Sequence, residues 1–161
     1  MERFKQIVTL SLILINDKKQ VLLQKRYNTG YMDGMYALVS GHLENDESML
    51  QGIIREANEE VGIELESENV DFVCLIRSGN DGYINSYFKS ESFQGDVVNM
   101  EPEKCSELTW FDINNIPENI IPNDKRAIYN MLNNITLDEY DFKTKKYSIE
   151  NDSTEIKTRK I

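Results

Sequence analysis

A chain of 161 residues is the length of one ordinary domain and can bury about two thirds of the surface its unfolded form exposes. With 40% apolar and 29% charged residues it is neither disordered nor fibrous, and two cysteines, Cys74 and Cys105, define neither a disulfide framework nor a four-ligand zinc site. A formal net charge of -10 argues against a non-specific grip on nucleic acid, and the charge is concentrated: between Glu44 and Asp71 ten acids face the single base Arg55.

The longest apolar run, Ile7 to Ile15, falls short of the roughly 20 residues a bilayer requires, so no membrane partner is expected. Glu2, Arg3 and Lys5 precede it, but no small-residue cleavage site follows, so it reads as the core strand of a cytoplasmic protein. A polar turn at Asn16 to Gln20 and the run Val21-Leu22-Leu23 predict a hairpin with it, ended by Arg26. Residues Tyr27 to Met35 read as a loop, and Tyr36 to Val39 as a short strand leading into Ser40-Gly41.

Leu50, Ile53, Ile54, Ala57 and Val61 recur at the spacing of one helical stripe, predicting a helix from Ser48 to Val61. Asp46 or Ser48 can cap its start, Ser48 with Gln51 as a capping box, and Gly62 stands where a left-handed terminal residue is wanted. Val70 to Ser78 and Tyr83 to Phe93 predict a second hairpin around Gly79-Asn80-Asp81-Gly82. Leu108 to Phe111 is a further strand, and a second helix is expected from about Asn123 to Asn133. The ordered domain is placed at residues 1–140, and 141–161 read as a polar tail.

Glu56, Glu59 and Glu60 sit at i, i+3 and i+4 of the first helix, so they are neighbours and are expected to project away from its apolar stripe. Like charges at these spacings cost about 0.2 to 0.5 kcal/mol per pair, and the helix dipole adds a similar penalty in a last turn. A hard divalent cation such as Mg2+, with Mn2+ able to substitute, would turn that cost into binding energy. Arg55 can bridge the carboxylates and hold their rotamers.

The string Gly41-x5-Glu47-x7-Arg55-Glu56-Ala57-x-Glu59-Glu60-x-Gly62-Ile63 matches without exception the signature of the Nudix hydrolases, G-x5-E-x7-R-E-U-x-E-E-x-G-U with U apolar. The resemblance implies an α/β/α sandwich around a central mixed sheet. It also implies metal-dependent hydrolysis of a nucleoside diphosphate linked to another moiety. By position it makes Glu56, Glu59 and Glu60 the metal ligands, with the Gly41 carbonyl, and has Arg55 and Glu47 orient them. Many members carry a glycine where Ser40 stands, a position outside the signature.

The same resemblance offers two sources for the general base: Glu56, the first choice, or a later loop glutamate, for which Glu101 competes with Glu103 and Glu107. Arg26 resembles a family position that contacts substrate, and Asn123 one that reads a purine edge. His42, the sole histidine, is either loop packing or a phosphate contact. Tyr36, Trp110 and Phe111 could stack on a base or belong to the core.

The leading expectation is a MutT-like (d)NTP pyrophosphohydrolase, monomeric or homodimeric, releasing a nucleoside monophosphate and pyrophosphate. The alternatives are an ADP-ribose or sugar-nucleotide pyrophosphatase of the same family and a non-catalytic nucleotide-sensing module.

Overall fold

The computed structural model describes residues 3–79 and 82–141. Eight strands and two helices follow one another as β1 (Ile7–Leu14), β2 (Gln20–Arg26), β3 (Tyr36–Ala37), β4 (Val39–His42), α1 (Met49–Val61), β5 (Asp71–Ser78), β6 (Tyr83–Ser90), β7 (Cys105–Asp112), α2 (Pro122–Leu132) and β8 (Leu137–Tyr140). The central sheet has the order β4-β1-β6-β5-β8 and is mixed, with β1–β6 and β5–β8 parallel and the other neighbours antiparallel. A second, antiparallel sheet has the order β3-β2-β7.

The apolar continuity of the first strands reflects burial on both faces. Leu10, Leu12 and Leu14 join Ile53, Ala57 and Val61 in a core beneath α1. Ile13 and Ile15 join Ala127 and Ile128 of α2 in the other core. Alternation along one strand therefore feeds two cores, which places the helices on opposite faces and gives the expected α/β/α layering.

The first hairpin does not form as expected. Its turn is present, with the Asn16 side chain accepting from the Lys18 and Gln20 amides, but the flanking strands share only the single bridge Ile15–Val21. Both edges of β1 are already taken by β4 and β6, so the chain leaves the turn in the second sheet. The second hairpin pairs as expected over β5 and β6; Asn80 and Asp81 of its turn lie outside the described residues.

Helix α1 starts at Ser48 with the reciprocal capping box to Gln51, which settles the choice against Asp46, and stops at Gly62 with φ 72°. Gly52 on its inner face lets the helix approach β1: a Cβ there would lie 2.5 Å from Leu10 Cδ1 and 2.8 Å from Glu47 Oε1.

The polar segment after α2 supplies β8, which adds to the edge of β5. Asp138 is the reason. Its buried carboxylate takes a two-pronged ion pair from Arg126, with Nη2 to Oδ1 at 2.8 Å, and a hydrogen bond from Asn130 at 3.0 Å, while Arg126 lies over the Tyr140 ring. Asp138→Ala strands the half-buried guanidinium of Arg126 and is expected to cost about 3 kcal/mol, read from urea unfolding. A loss below about 0.5 kcal/mol would show that this pair does not hold β8. The tail expected at residues 141–161 lies outside the described residues apart from Asp141.

Candidate active site

The last two turns of α1 lie against the edge strand β4, whose outer backbone groups have no strand neighbour among the described residues. Leu43 N–H donates to Val8 C=O, and the same register pairs Leu10 with Gly41 and Thr9 with His42. Hydrogen-bonded pairs alternate in an antiparallel ladder, so the Gly41 amide and carbonyl face β1, and those of Ser40 and His42 face outward. The side chains of α1 use these outward groups: Ser40 N–H donates to Glu60 Oε2 at 2.8 Å, and His42 C=O accepts from Arg55 at 3.3 Å. The carbonyl expected at a metal from Gly41 is therefore turned into the sheet, and the neighbouring Ser40 carbonyl faces the acids. Gly41 serves by its missing side chain, since a Cβ there would sit 1.9 Å from Glu56 Oε1.

Arg55 organises the near side of the cluster. Its Nε and Nη2 grip both oxygens of Glu47, at 3.1 and 2.8 Å, and its Nη1 donates to Glu56 Oε1 at 2.8 Å and to Glu59 Oε2 at 3.0 Å. Glu47 is fixed in turn by the Glu44 amide at 2.8 Å. These bonds, with Arg55 foremost, hold the Glu47 carboxyl below the usual carboxylate range and keep the guanidinium firmly protonated.

Glu56 and Glu60 differ from that pair, whose mutual bonds keep both members charged. Glu56 lies on the buried edge of the helix beside Ile53 and Ala57, contrary to the expectation that all three acids point away from the apolar stripe. Glu60 is partly buried, and its Oε2 accepts from Ser40 N–H and, at 3.0 Å, from the Gln24 amide, which also donates to Leu38 C=O at 3.1 Å. Burial pushes both carboxyls up, helped by each acid's neighbours: Glu59 and Glu101 act on Glu56, and Glu56 and Glu101 act on Glu60, which reaches about 8.

Glu101 thus stands in the field of both helix acids. The loop that carries it is pinned to the end of α1 by Val98 N–H to Val61 C=O and Met100 N–H to Glu60 C=O, both at 3.0 Å. Asn99 locks the turn, accepting from Glu101 N–H and donating to Cys105 C=O. The two rival acids lie otherwise: Glu107 is tied to Tyr36 and Thr109, and Glu103 is exposed.

Other expected site residues are engaged elsewhere. Arg26 closes its own loop through Tyr31 C=O at 2.7 Å and Thr29 Oγ1 at 3.0 Å. Asn123 accepts from the Tyr140 hydroxyl, and the His42 ring is tilted against Tyr83. Tyr36 belongs to a core, and Phe111 and Trp110, partly buried, pack against the cores, with Tyr36 and Phe111 edge to face and Trp110 stacked on Phe93. Sequence reading missed Gln24, whose signal is a polar residue interrupting an apolar strand, and Asn99, whose signal is an amide two residues before an acid in a loop.

Among the described residues no three acid, thiol or imidazole groups converge into a finished metal cage, and Arg55 stands between Glu56 and Glu59. The donor chemistry nonetheless fits a hard divalent cation: carboxylate oxygens, a backbone carbonyl, and two acids, Glu56 buried and Glu60 partly so, whose ionised forms are costly until a cation compensates them.

This arrangement has a pH signature. Between about pH 4.5 and 8 the folded protein keeps the Glu60 proton that an unfolded chain releases, so stability falls as pH rises through that window. Glu56, and Asp124 at about 6, act in the same direction. Thermal unfolding in EDTA is expected to show a falling Tm from about pH 6 to 9, with a shallower slope in Glu60→Gln. A rising Tm would contradict the burial of these acids.

A two-helix, mixed-sheet sandwich with a complete acidic box at one end of α1 defines a Nudix domain. The NUDIX domain family matches residues 5–131, and the chain belongs to that family. It is 27% identical over 120 residues to the NAD-capped RNA hydrolase NudC of Pseudomonas aeruginosa, a match covering 73% of this chain and 40% of that protein. The chain therefore spans about two fifths of the length of the curated relatives it matches.

Among solved structures, a MutT NUDIX hydrolase from Burkholderia pseudomallei superposes with a TM-score of 0.69 at 22% identity, covering 76% of this chain and 95% of that one. The mutator MutT protein from Bacillus halodurans gives a TM-score of 0.65 at 21% identity, covering 88% and 93%. These likenesses establish the fold. Among the described residues no helix is long and apolar enough to cross a membrane.

Proposed function

We propose that this chain is a divalent-metal-dependent pyrophosphohydrolase of the MutT type, cleaving a (d)NTP into a nucleoside monophosphate and pyrophosphate. The observation that carries the reading is the pairing of Glu56 and Glu60, set against Gly41 and Ser40 and in the field of Glu101. Glu56, Glu59 and Glu60, with the Ser40 carbonyl, would hold Mg2+, and Mn2+ would substitute. When bound, the metal supplies charge neutralisation for the diphosphate oxygens and polarisation of the attacked phosphorus.

The chain's own residues do the rest. Arg55 and Glu47 fix the carboxylate rotamers through their bidentate pair, and Gln24 and Ser40 hold Glu60. Glu56, whose burial raises its proton affinity, accepts the proton of the attacking water, with Glu101 as the second acid within electrostatic reach.

A second reading is hydrolysis of a dinucleotide pyrophosphate, favoured by the likeness to a protein named for NAD-capped RNA. ADP-ribose and sugar nucleotides share that bond. A panel of (d)NTPs, NADH, ADP-ribose, a sugar nucleotide and NAD-capped RNA, assayed with Mg2+ and followed by phosphate products, separates these substrates. Pyrophosphate release from a (d)NTP supports the first reading, and nucleoside monophosphates from dinucleotides alone transfer it to the second. No turnover of any member, with Mn2+ also supplied, contradicts both.

A further inference from the structure

The acids at the end of α1 are served by two cations with different degrees of freedom. Arg55 is fully committed, its nitrogens distributed over Glu47, Glu56, Glu59 and the His42 carbonyl. Lys104 is not. Its Nζ makes a 2.6 Å ion pair with Glu101 Oε1, its side chain is 57% exposed against 26% for Glu101, and its stem has room to swing. The backbone beneath is fixed, since Lys104 N–H and Cys105 N–H both donate to Glu101 C=O at 2.9 Å, and Asn99 clamps the same turn. Lys104 also lies in the field of Glu60 as well as that of Glu101 and Glu103. A mobile ammonium on a rigid turn, facing acids that a substrate diphosphate must approach, is suited to a change of partner.

We propose that Lys104 is an exchangeable counter-ion of the site, paired with Glu101 and drawn from it to bind a phosphate of the nucleotide when the substrate arrives. The inference rests on the pyrophosphohydrolase reading above and assigns that reading a substrate-binding residue. Two consequences have opposite signs. Without nucleotide, the Lys104 ammonium lies in the field of Glu60, one of the proposed metal ligands, and repels a divalent cation there, so removing its charge tightens metal binding. With nucleotide, removing it forfeits a charge-assisted phosphate contact.

The test uses Mn2+ alone, titrated by electron paramagnetic resonance into the full chain, beside steady-state kinetics on the nucleotide that the panel shows to be turned over fastest. Lys104→Met keeps the stem and loses the charge. It is expected to bind Mn2+ about two- to fivefold more tightly than the unaltered protein, and to raise KM about tenfold with kcat nearly unchanged. Lys104→Arg is expected to restore KM, and unchanged Tm values show that both variants fold. Equal Mn2+ affinity, or an unmoved KM, in folded Lys104→Met overturns the exchange. Failure of the unaltered protein to bind Mn2+ at all overturns the exchange together with the functional reading beneath it; normal binding and turnover with an inert Lys104 overturns the exchange alone.

Discussion

Glu60→Gln is expected to lower kcat on the order of 10^3-fold while leaving the metal-free protein as stable as the parent near pH 4.5 and increasingly more stable as pH rises toward 8. The two outcomes share one cause. Burial pushes the Glu60 carboxyl up to about 8, so from about pH 4.5 upward the folded parent must keep a proton that the unfolded chain releases, a cost glutamine does not carry. Glutamine is the same size, and its amide oxygen can still accept from Ser40 N–H, so packing survives. What disappears is the charge that compensates a divalent cation. Thermal unfolding in EDTA, run beside phosphate-release assays, separates this from a folding defect. A variant that loses activity and stability together would place Glu60 among the structural residues, and a fully active variant would remove it from the metal site.

Gly41→Ala tests the same centre from the strand side. A Cβ at this position would lie 1.9 Å from Glu56 Oε1 and 2.0 Å from its carboxyl carbon, so the acid must move by more than an ångström or the helix must lift. Glu56 is also held by Arg55 and packed beside Ile53 and Ala57, which leaves little room for accommodation. Misplacement of a catalytic group on that scale costs about 10^2-fold in rate. Activity is expected to fall by at least that factor, with a smaller effect on folding than a core truncation. An active Gly41→Ala variant would show that the glycine is not there to admit the carboxylate. Since Gly41 faces β1 with its backbone and α1 with its absent side chain, no other residue keeps both relations.

The α1 segment was the most legible part of the chain. Its apolar spacing, capping box and terminal glycine are local signals that tertiary packing did not override. The second hairpin was legible for the same reason. The partnership of β1 with β4 and β6 was not, because a strand buried on both faces reads as apolar throughout and carries no record of which edge finds which neighbour. Strand β8 was obscured by the residue that anchors it: Asp138 looks like a surface acid until Arg126 and Asn130 are brought to it across α2.

The candidate site divides similarly. The box acids and Arg55 are legible as a spacing, and the Arg55–Glu47 pair joins residues eight apart around the helix start. Gln24, Ser40 and Lys104 come to the same place from β2, β4 and the turn before β7, and such convergence is a property of topology. The direction of the Ser40 and Gly41 carbonyls depends on strand register, which a one-residue shift would reverse.

The central claim is that the end of α1 and the edge of β4 together hold a divalent cation through Glu56 and Glu60. Mn2+ titration of the full chain by electron paramagnetic resonance, with and without the paired substitutions Glu56→Gln and Glu60→Gln, tests it most directly. The account predicts saturable Mn2+ binding to the unaltered protein, weakened at least tenfold in the doubly substituted one. Equal binding by the two proteins, or none by either, would contradict it.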